Sequence, residues 1–356
     1  MPRKDIDLSK ISEEELLNSR ICDLPLNIDG TWLKECIEGL YRDLERKNIK
    51  FRPSCYLADE WLAPDKEPLI GIPFFLVHPT LIKLERKMML DAEGDNQNWC
   101  MKLLRHEAGH AINYAYQLYR RKRWQKIFGK FSKEYKDTYR FRPYSKSFVR
   151  HLEDFYAQHH PDEDFAETFA VWLTPDLNWQ EQYKGWKAAI KLHYVDKLMQ
   201  EIASKDPLIE NGRKYWEAAK MKITLKNFYR KKRKSYAVYF PDFHDSNLKK
   251  IFLNSGIESY QEPISKDLST ASNKPLQISA WEIIKKYKKN ILDTVAGWTG
   301  ERKYIVNELL ETLIKRAKEL KLKSDKSEYL VIMEISAYIT ALMMNYSYTG
   351  GFRKEP

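Results

Sequence analysis

The chain predicts an α+β fold: a small sheet beside a long helix and an acidic helix, then a mainly helical C-terminal region. Three observations predict it. Two short apolar segments, 51–57 and 68–79, are bounded or broken by prolines and read as strands, with prolines at strand ends or on an edge. A stretch with no proline between Pro79 and Pro143 carries apolar residues at 100, 101, 103, 104, 108, 111, 112, 115 and 118, the spacing of a buried helix. Helical periodicity returns over 278–296, 301–322 and 326–346. These pieces divide the chain into 1–220, a basic hairpin and linker over 221–277, and a three-helix unit over 278–356.

In chain order, 51–57 and 68–79 form the sheet, and 72–77 is the expected free edge. The long helix follows near 99–118. Pro161, with Asp162, Glu163 and Asp164 in the next turn, announces a second helix through the fixed φ of proline and the helix dipole. Its buried stripe is 165, 166, 169, 170 and 173. Residues 177–225 continue with helical spacing at Trp186, Ala189, Ile190, Val195, Leu198 and Ile202. The cluster 226–234 lies between two strand-like runs, 221–225 and 235–240, and reads as a basic hairpin tip. The stretch 254–275 is rich in Ser, Pro and Gly and reads as a linker. Ser324 and Asp325 are the expected caps of the last helix.

The long helix carries His106-Glu107-Ala108-Gly109-His110, an HExxH motif. Positions i and i+4 share a helix face, so both imidazoles can point at one ion. Zinc accepts imidazole nitrogen at about 2.0–2.1 Å. Glu107 is displaced toward the open side of that ion, where a carboxylate can take a proton from water and later pass it to a leaving amine. With eight histidines in 356 residues, a chance match is expected in roughly one such chain in a hundred. Ala108 and Gly109 leave room for another element. Glycine inside a helix costs about 1 kcal/mol against alanine, so a packing reason is expected for it.

A hydrolytic zinc site needs a third protein ligand and an open fourth position. A third histidine six residues past His110, the metzincin pattern, is excluded because that position is Tyr116. The second helix offers Glu163 and Glu167, four apart on one edge of its stripe, with Asp162, Asp164 and His160 as other donors. His151 and His159 are minor options; His159 and His160 read better as loop histidines beside a turn proline.

HExxH followed some fifty residues later by Glu163-Asp164-Phe165-Ala166-Glu167 resembles the gluzincin metallopeptidases. The wording EDFAETFA after His160-Pro161 resembles a bacterial family of zinc-binding metallopeptidases. The resemblance covers about 70–175. It implies a zincin-like module over 1–220, with Glu163 as third zinc ligand and Glu167 orienting a ligand histidine, as metal-bound imidazoles ordinarily require. Tyr156, and after it Tyr144, are the candidates to stabilise the oxyanion beside the metal. Arg140, Arg142 and Arg150 read as a solvated basic loop. In metallopeptidases of this type an edge strand pairs with extended substrate.

Composition frames these readings. Hydrophobic residues make up 43% of the chain and aromatics 13%, enough for a large core and a deep cleft. No membrane span is expected, because no apolar run approaches 18 residues. The first residues lack the apolar core of a signal peptide. Cys22, Cys36, Cys55 and Cys100 form no CxxC pair, so a cytoplasmic protein is the expectation. The net charge of +11 raises nucleic acid as a partner, but without a recognised motif the basic cluster reads as a solvated loop. The expected function is a zinc metallopeptidase acting on a peptide or protein substrate. The rival is a non-catalytic basic binding protein that keeps the same scaffold.

Overall fold

The computed structural model describes residues 6–136, 139, 141–142, 144–152, 155–235, 244–253 and 278–349. Residues 236–240 of the expected strand 235–240, the expected linker 254–275, Arg140 and Pro143 lie outside the described residues. The molecule is mostly helical with small two-stranded sheets, an α+β arrangement in the general sense. It divides into two units at Lys234 and Ser235.

The first unit runs α1 (Glu13–Asn18), α2 (Trp32–Arg46), β1 (Ser54–Ala58), β2 (Leu69–Pro73), α3 (Pro79–Met89), α4 (Gln97–Ala115), α5 (Lys122–Phe128), α6 (Pro161–Leu173), α7 (Trp179–Gln182), α8 (Ala188–Ile202) and α9 (Leu225–Ser235). Strands β1 and β2 pair in parallel, with Ser54 opposite Leu69 and Ala58 opposite Pro73. Helix α4 is the centre of the unit and packs on α2, β2 and α6, while α8 backs α6.

Local chemistry explains the helices that build the centre of the unit. Asn96 caps α4 by accepting from the Trp99 N–H at 3.0 Å, and no proline interrupts the helix before Tyr116. Pro161 opens α6 behind His160, whose Nδ1 accepts from the Asp162 N–H at 3.2 Å. Gly109 marks the crossing of α4 and α6: a Cβ there would lie 2.8 Å from the Ala166 Cα, so only glycine lets the two backbones approach this closely. The amphipathic face of α2 buries Leu33, Ile37, Leu40 and Leu44.

Two strand expectations are corrected. The run 68–79 is a strand only over Leu69–Pro73; Phe74–Val77 is a fully buried 3-10 turn, and α3 starts at Pro79. A short apolar run buried on all sides has no periodicity that separates strand from helical turn. The basic cluster is no hairpin tip. Leu225–Ser235 is helical, its apolar positions Leu225, Phe228 and Tyr229 being spaced for a helix face, and Lys and Arg are good helix formers.

The second unit comprises α10 (His244–Leu253), β3 (Ile278–Ser279), α11 (Ala280–Lys286), α12 (Lys288–Thr299), α13 (Lys303–Glu319), β4 (Lys323–Ser324) and α14 (Glu328–Thr349). The helix expected over 278–296 breaks at Tyr287, whose hydroxyl donates to Glu328 at 2.5 Å. Ser324 lies in β4, and Asp325 is no cap either. Ser327 Oγ accepts from the Leu330 N–H at 3.4 Å and takes that role. By length and composition alone, Glu328–Ser347, at mean hydropathy 1.3, is long and apolar enough to cross a membrane. Its apolar runs are short, interrupted by Glu334, Ser336, Thr340 and Asn345, so no continuous apolar stretch marks it in the sequence.

Candidate metal centre

Helices α4 and α6 cross so that one face of each meets the other. From α4 come His106, Glu107 and His110; from α6 come Asp162, Glu163 and Glu167. All six are buried. A buried carboxylate or imidazole is costly unless it is paired, and here most of the pairings converge on one point.

The outer nitrogen of each histidine is committed. His106 Nδ1–H donates to Glu167 Oε1 at 2.8 Å, and His110 Nδ1–H donates to Asp162 Oδ2 at 3.0 Å. Both carboxylates are themselves held. Glu167 Oε2 accepts from the Leu152 N–H at 3.0 Å. Asp162 accepts from Asn113 Nδ2 at 2.7 Å and from the Tyr114 hydroxyl at 2.5 Å. The tautomer of the neutral rings is therefore set: with Nδ1–H committed outward, each neutral Nε2 keeps a lone pair directed inward.

Those two lone pairs and Glu163 Oε2 form a triangle. His106 Nε2 is 3.2 Å from His110 Nε2, and Glu163 Oε2 lies 3.1 Å from the first and 3.2 Å from the second. Three electron-rich atoms this close repel one another unless a cation or extra protons sit among them. A tetrahedral ion with ligands at about 2.0–2.2 Å has ligand–ligand edges of roughly 3.3–3.5 Å, close to the observed triangle. The donor set fits a metal ion, and this buried His–His–Glu group is the one found among the described residues.

The electrostatics agree with the geometry. Burial disfavours the His106 cation, yet hydrogen bonds and charge attraction from Glu163 and Glu167 lift it to about 10. His110 is carried well above the ordinary histidine value against the same burial, by Asp162 and Glu163. Burial alone would raise Glu163 and Glu167; the histidines hold both below the usual carboxylate range. The cavity is built to hold positive charge.

Glu107 differs from the other acids. Burial raises its carboxyl above the ordinary value, tempered by the charges of His106 and His110. Among the described residues nothing hydrogen-bonds or ion-pairs with that carboxylate. It stands beside the triangle with its oxygens uncommitted.

Tyr156 lies next to the centre, its ring 5.7 Å from that of His106. It does not touch the ligand atoms. Its hydroxyl is 3.0 Å from that of Tyr135, and Tyr135 donates its one proton to Glu163 Oε1 at 2.8 Å, so Tyr156 donates to Tyr135. Burial raises Tyr156 well above the usual phenol value, so it stays a donor. Tyr144 is 93% exposed and takes no part. Arg150 stacks over Phe155 and Trp186 and Arg142 is exposed, as a basic loop requires.

The three other histidines considered as ligands bond to peptide carbonyls instead. His160 Nε2 donates to the Lys133 carbonyl at 2.9 Å, His159 Nε2 pairs with the Lys136 carbonyl, and His151 Nε2 donates to the Lys102 carbonyl at 2.9 Å. The first two pin the segment that presents Tyr135, whose ring packs on both at 4.3 and 5.2 Å. Tyr135 was missed from sequence because nothing local marks it. Asn113 and Tyr114 did carry a signal: they sit three and four residues after His110, on the metal face of α4.

The free edge expected at 72–77 is not found there: Ile72 and Pro73 end β2, and Phe74–Val77 is a buried 3-10 turn. Leu62 and Gly71 exchange peptide hydrogen bonds at 3.2 and 2.8 Å, an isolated antiparallel bridge to β2. Trp61 and Ala63 flank that isolated bridge. Neither residue enters a backbone hydrogen bond among the described residues. The Trp61 indole donates to the Glu93 carbonyl at 3.2 Å and crowds Gly94 together with Leu103 of α4. At the other end, the Lys66 ammonium sits 5.7 Å over the Phe131 ring, on the segment leading to Tyr135. Residues 61–66 thus reach α4 near Leu103 at one end and the Phe131 ring at the other.

Comparison with protein-family models, with curated proteins and with solved structures finds no match to this chain.

Proposed function

We propose that the protein is a zinc-dependent hydrolase of peptide or peptide-like amide bonds, built on a zincin-like module. The observation that carries this reading is the triangle of His106 Nε2, His110 Nε2 and Glu163 Oε2 with an uncommitted Glu107 carboxylate beside it. A purely structural zinc takes four protein ligands; here the donor set among the described residues is three, with a base beside it.

Zinc bound there supplies a Lewis acid and lowers the pKa of water. Glu107 takes the proton of the attacking water and returns it to the leaving nitrogen, and burial, by raising its pKa, improves it for both roles. Glu167 and Asp162 hold the two imidazoles in the ligating tautomer. Tyr135 engages Glu163 Oε1 and leaves Oε2 for the metal. The Tyr156 O–H, donated to Tyr135 in the free protein, is the group that turns to a developing oxyanion. Substrate main chain pairs with the Trp61 and Ala63 peptide groups, which enter no backbone hydrogen bond among the described residues.

The test is a mixed peptide library read by mass spectrometry with the parent protein, chelator-treated protein and Glu107→Gln. The parent should cleave, the chelated protein should not, and Glu107→Gln should keep its zinc while losing about 10²–10⁴-fold in rate. Equal cleavage by Glu107→Gln would remove Glu107 from the mechanism. No cleavage by zinc-loaded parent protein would reject the hydrolase.

A further inference from the structure

We infer that α9 is a docking surface for duplex nucleic acid, gripping the phosphate backbone without reading sequence. Over Leu225–Ser235 the helix carries six cations and no acid. Two are used within the fold: Lys232 pairs with Glu85 at 2.7 Å, and Arg233 donates to the Met88 carbonyl at 2.8 Å. The other four, Lys226, Arg230, Lys231 and Lys234, are exposed. Among the described residues none of them has an ion-pair partner.

Their spacing places them together. Lys226, Arg230 and Lys234 follow i, i+4, i+8, a line with steps of about 6 Å along the axis, and Lys231 flanks it. Like charges at i, i+4 repel one another and disfavour the helix that carries them. The last-turn dipole compensates Lys234 but not Lys226 or Arg230. The fold gains nothing from the line, whereas a polyanion does.

The same helix indicates which polyanion. Its apolar side chains Leu225, Phe228 and Tyr229 are buried, with Phe228 packed on Phe74 at 5.5 Å. α9 therefore has no apolar face to sink into a lipid surface, which an interfacial helix needs. It also shows no exposed aromatic on which unpaired bases would stack. A rigid line of cations without stacking groups suits the regular phosphates of a duplex. This surface is independent of the metal centre.

The experiment titrates the zinc-loaded full chain against short fluorescein-labelled DNA and RNA duplexes, a DNA single strand and vesicles rich in phosphatidylserine. Four phosphate contacts predict a log–log salt slope near −3.6 on duplex DNA, on the order of a 10²-fold loss between 50 and 200 mM salt. Each of Lys226→Gln, Arg230→Gln, Lys231→Gln and Lys234→Gln should lower that slope by about one. The fourfold variant should lose nearly all duplex binding with zinc content unchanged. A control removing four exposed lysines elsewhere, Lys50, Lys122, Lys126 and Lys197 to Gln, should keep the slope. Equal loss in the control would reduce the effect to net charge. Undiminished binding by the fourfold variant, tighter binding to vesicles or single strand, or no duplex binding at 50 mM salt would each overturn the inference.

Discussion

Helices α6 and α14 solve the problem of burial in opposite ways. Every residue of α6 is buried, although Asp162, Glu163, Asp164 and Glu167 are acidic. In α14 only a stripe through Val331, Ile335, Ile339 and Met343 is covered, while Tyr329 and Met333 face outward. The apolar stripe of α14 needs nothing beyond shape. The acids of α6 need partners, and each has one or more: His110, Asn113 and Tyr114 for Asp162; both histidines and Tyr135 for Glu163; Lys191 at 2.5 Å for Asp164; His106 for Glu167. Charge buried at this density is a poor way to gain stability, because desolvation offsets most of the attraction. A helix that keeps it is organised around its site, and a helix like α14 is organised around packing.

That contrast can be broken or sharpened by substitution, beginning with the largest effect on the centre. His110→Ala or Glu163→Ala should abolish tight zinc binding, measured by competition with a chromophoric chelator. The carboxylates that only orient imidazoles should matter less: Asp162→Asn and Glu167→Gln should each weaken zinc about 10–100-fold. Reversal, with Asp162→Asn abolishing zinc and Glu163→Ala sparing it, would exchange ligand and support.

A comparable effect is expected from pH. His106 in the metal-free fold sits near 10 against an ordinary 6.5. Its folded value is the higher one, so its contribution to stability is complete below pH 6.5 and is lost as pH rises toward 10. Metal-free protein should therefore lose melting temperature across that window, an effect that zinc-loaded protein should not share. Zinc uptake at pH 8 should release at least one proton per ion, read by calorimetry in buffers of different ionisation heat. Uptake without proton release would mean that the imidazoles are already bare.

The smallest effect on the centre should come from α14. Ile335→Ala removes a fully buried side chain and should cost about 2–5 kcal/mol of stability in its unit, followed by denaturant unfolding, with zinc affinity unchanged.

What could be read from sequence follows the same division. The donors of α4 were legible because HExxH is a local spacing, and α6 because Pro161 and its following acids mark a helix start. Gly109 announced a close crossing and makes one with Ala166. Tyr135 was not legible, since its position depends on His159 and His160 tying down a segment more than twenty residues away. The turn at Phe74–Val77 was hidden because burial on every side erases periodicity. In α9 the spacing of Leu225, Phe228 and Tyr229 was helical, and the β-branched and aromatic residues on either side outweighed it in the reading.

The central claim is that three side-chain atoms from α4 and α6 hold one zinc ion. Anomalous diffraction from crystals of zinc-loaded protein, recorded on both sides of the zinc absorption edge, tests it most directly. The account predicts one strong peak about 2.0–2.2 Å from His106 Nε2, His110 Nε2 and Glu163 Oε2, with a fourth position not filled by protein. A peak ligated by Asp162 or Glu167 instead, or no peak between α4 and α6 in protein that carries zinc, would contradict it.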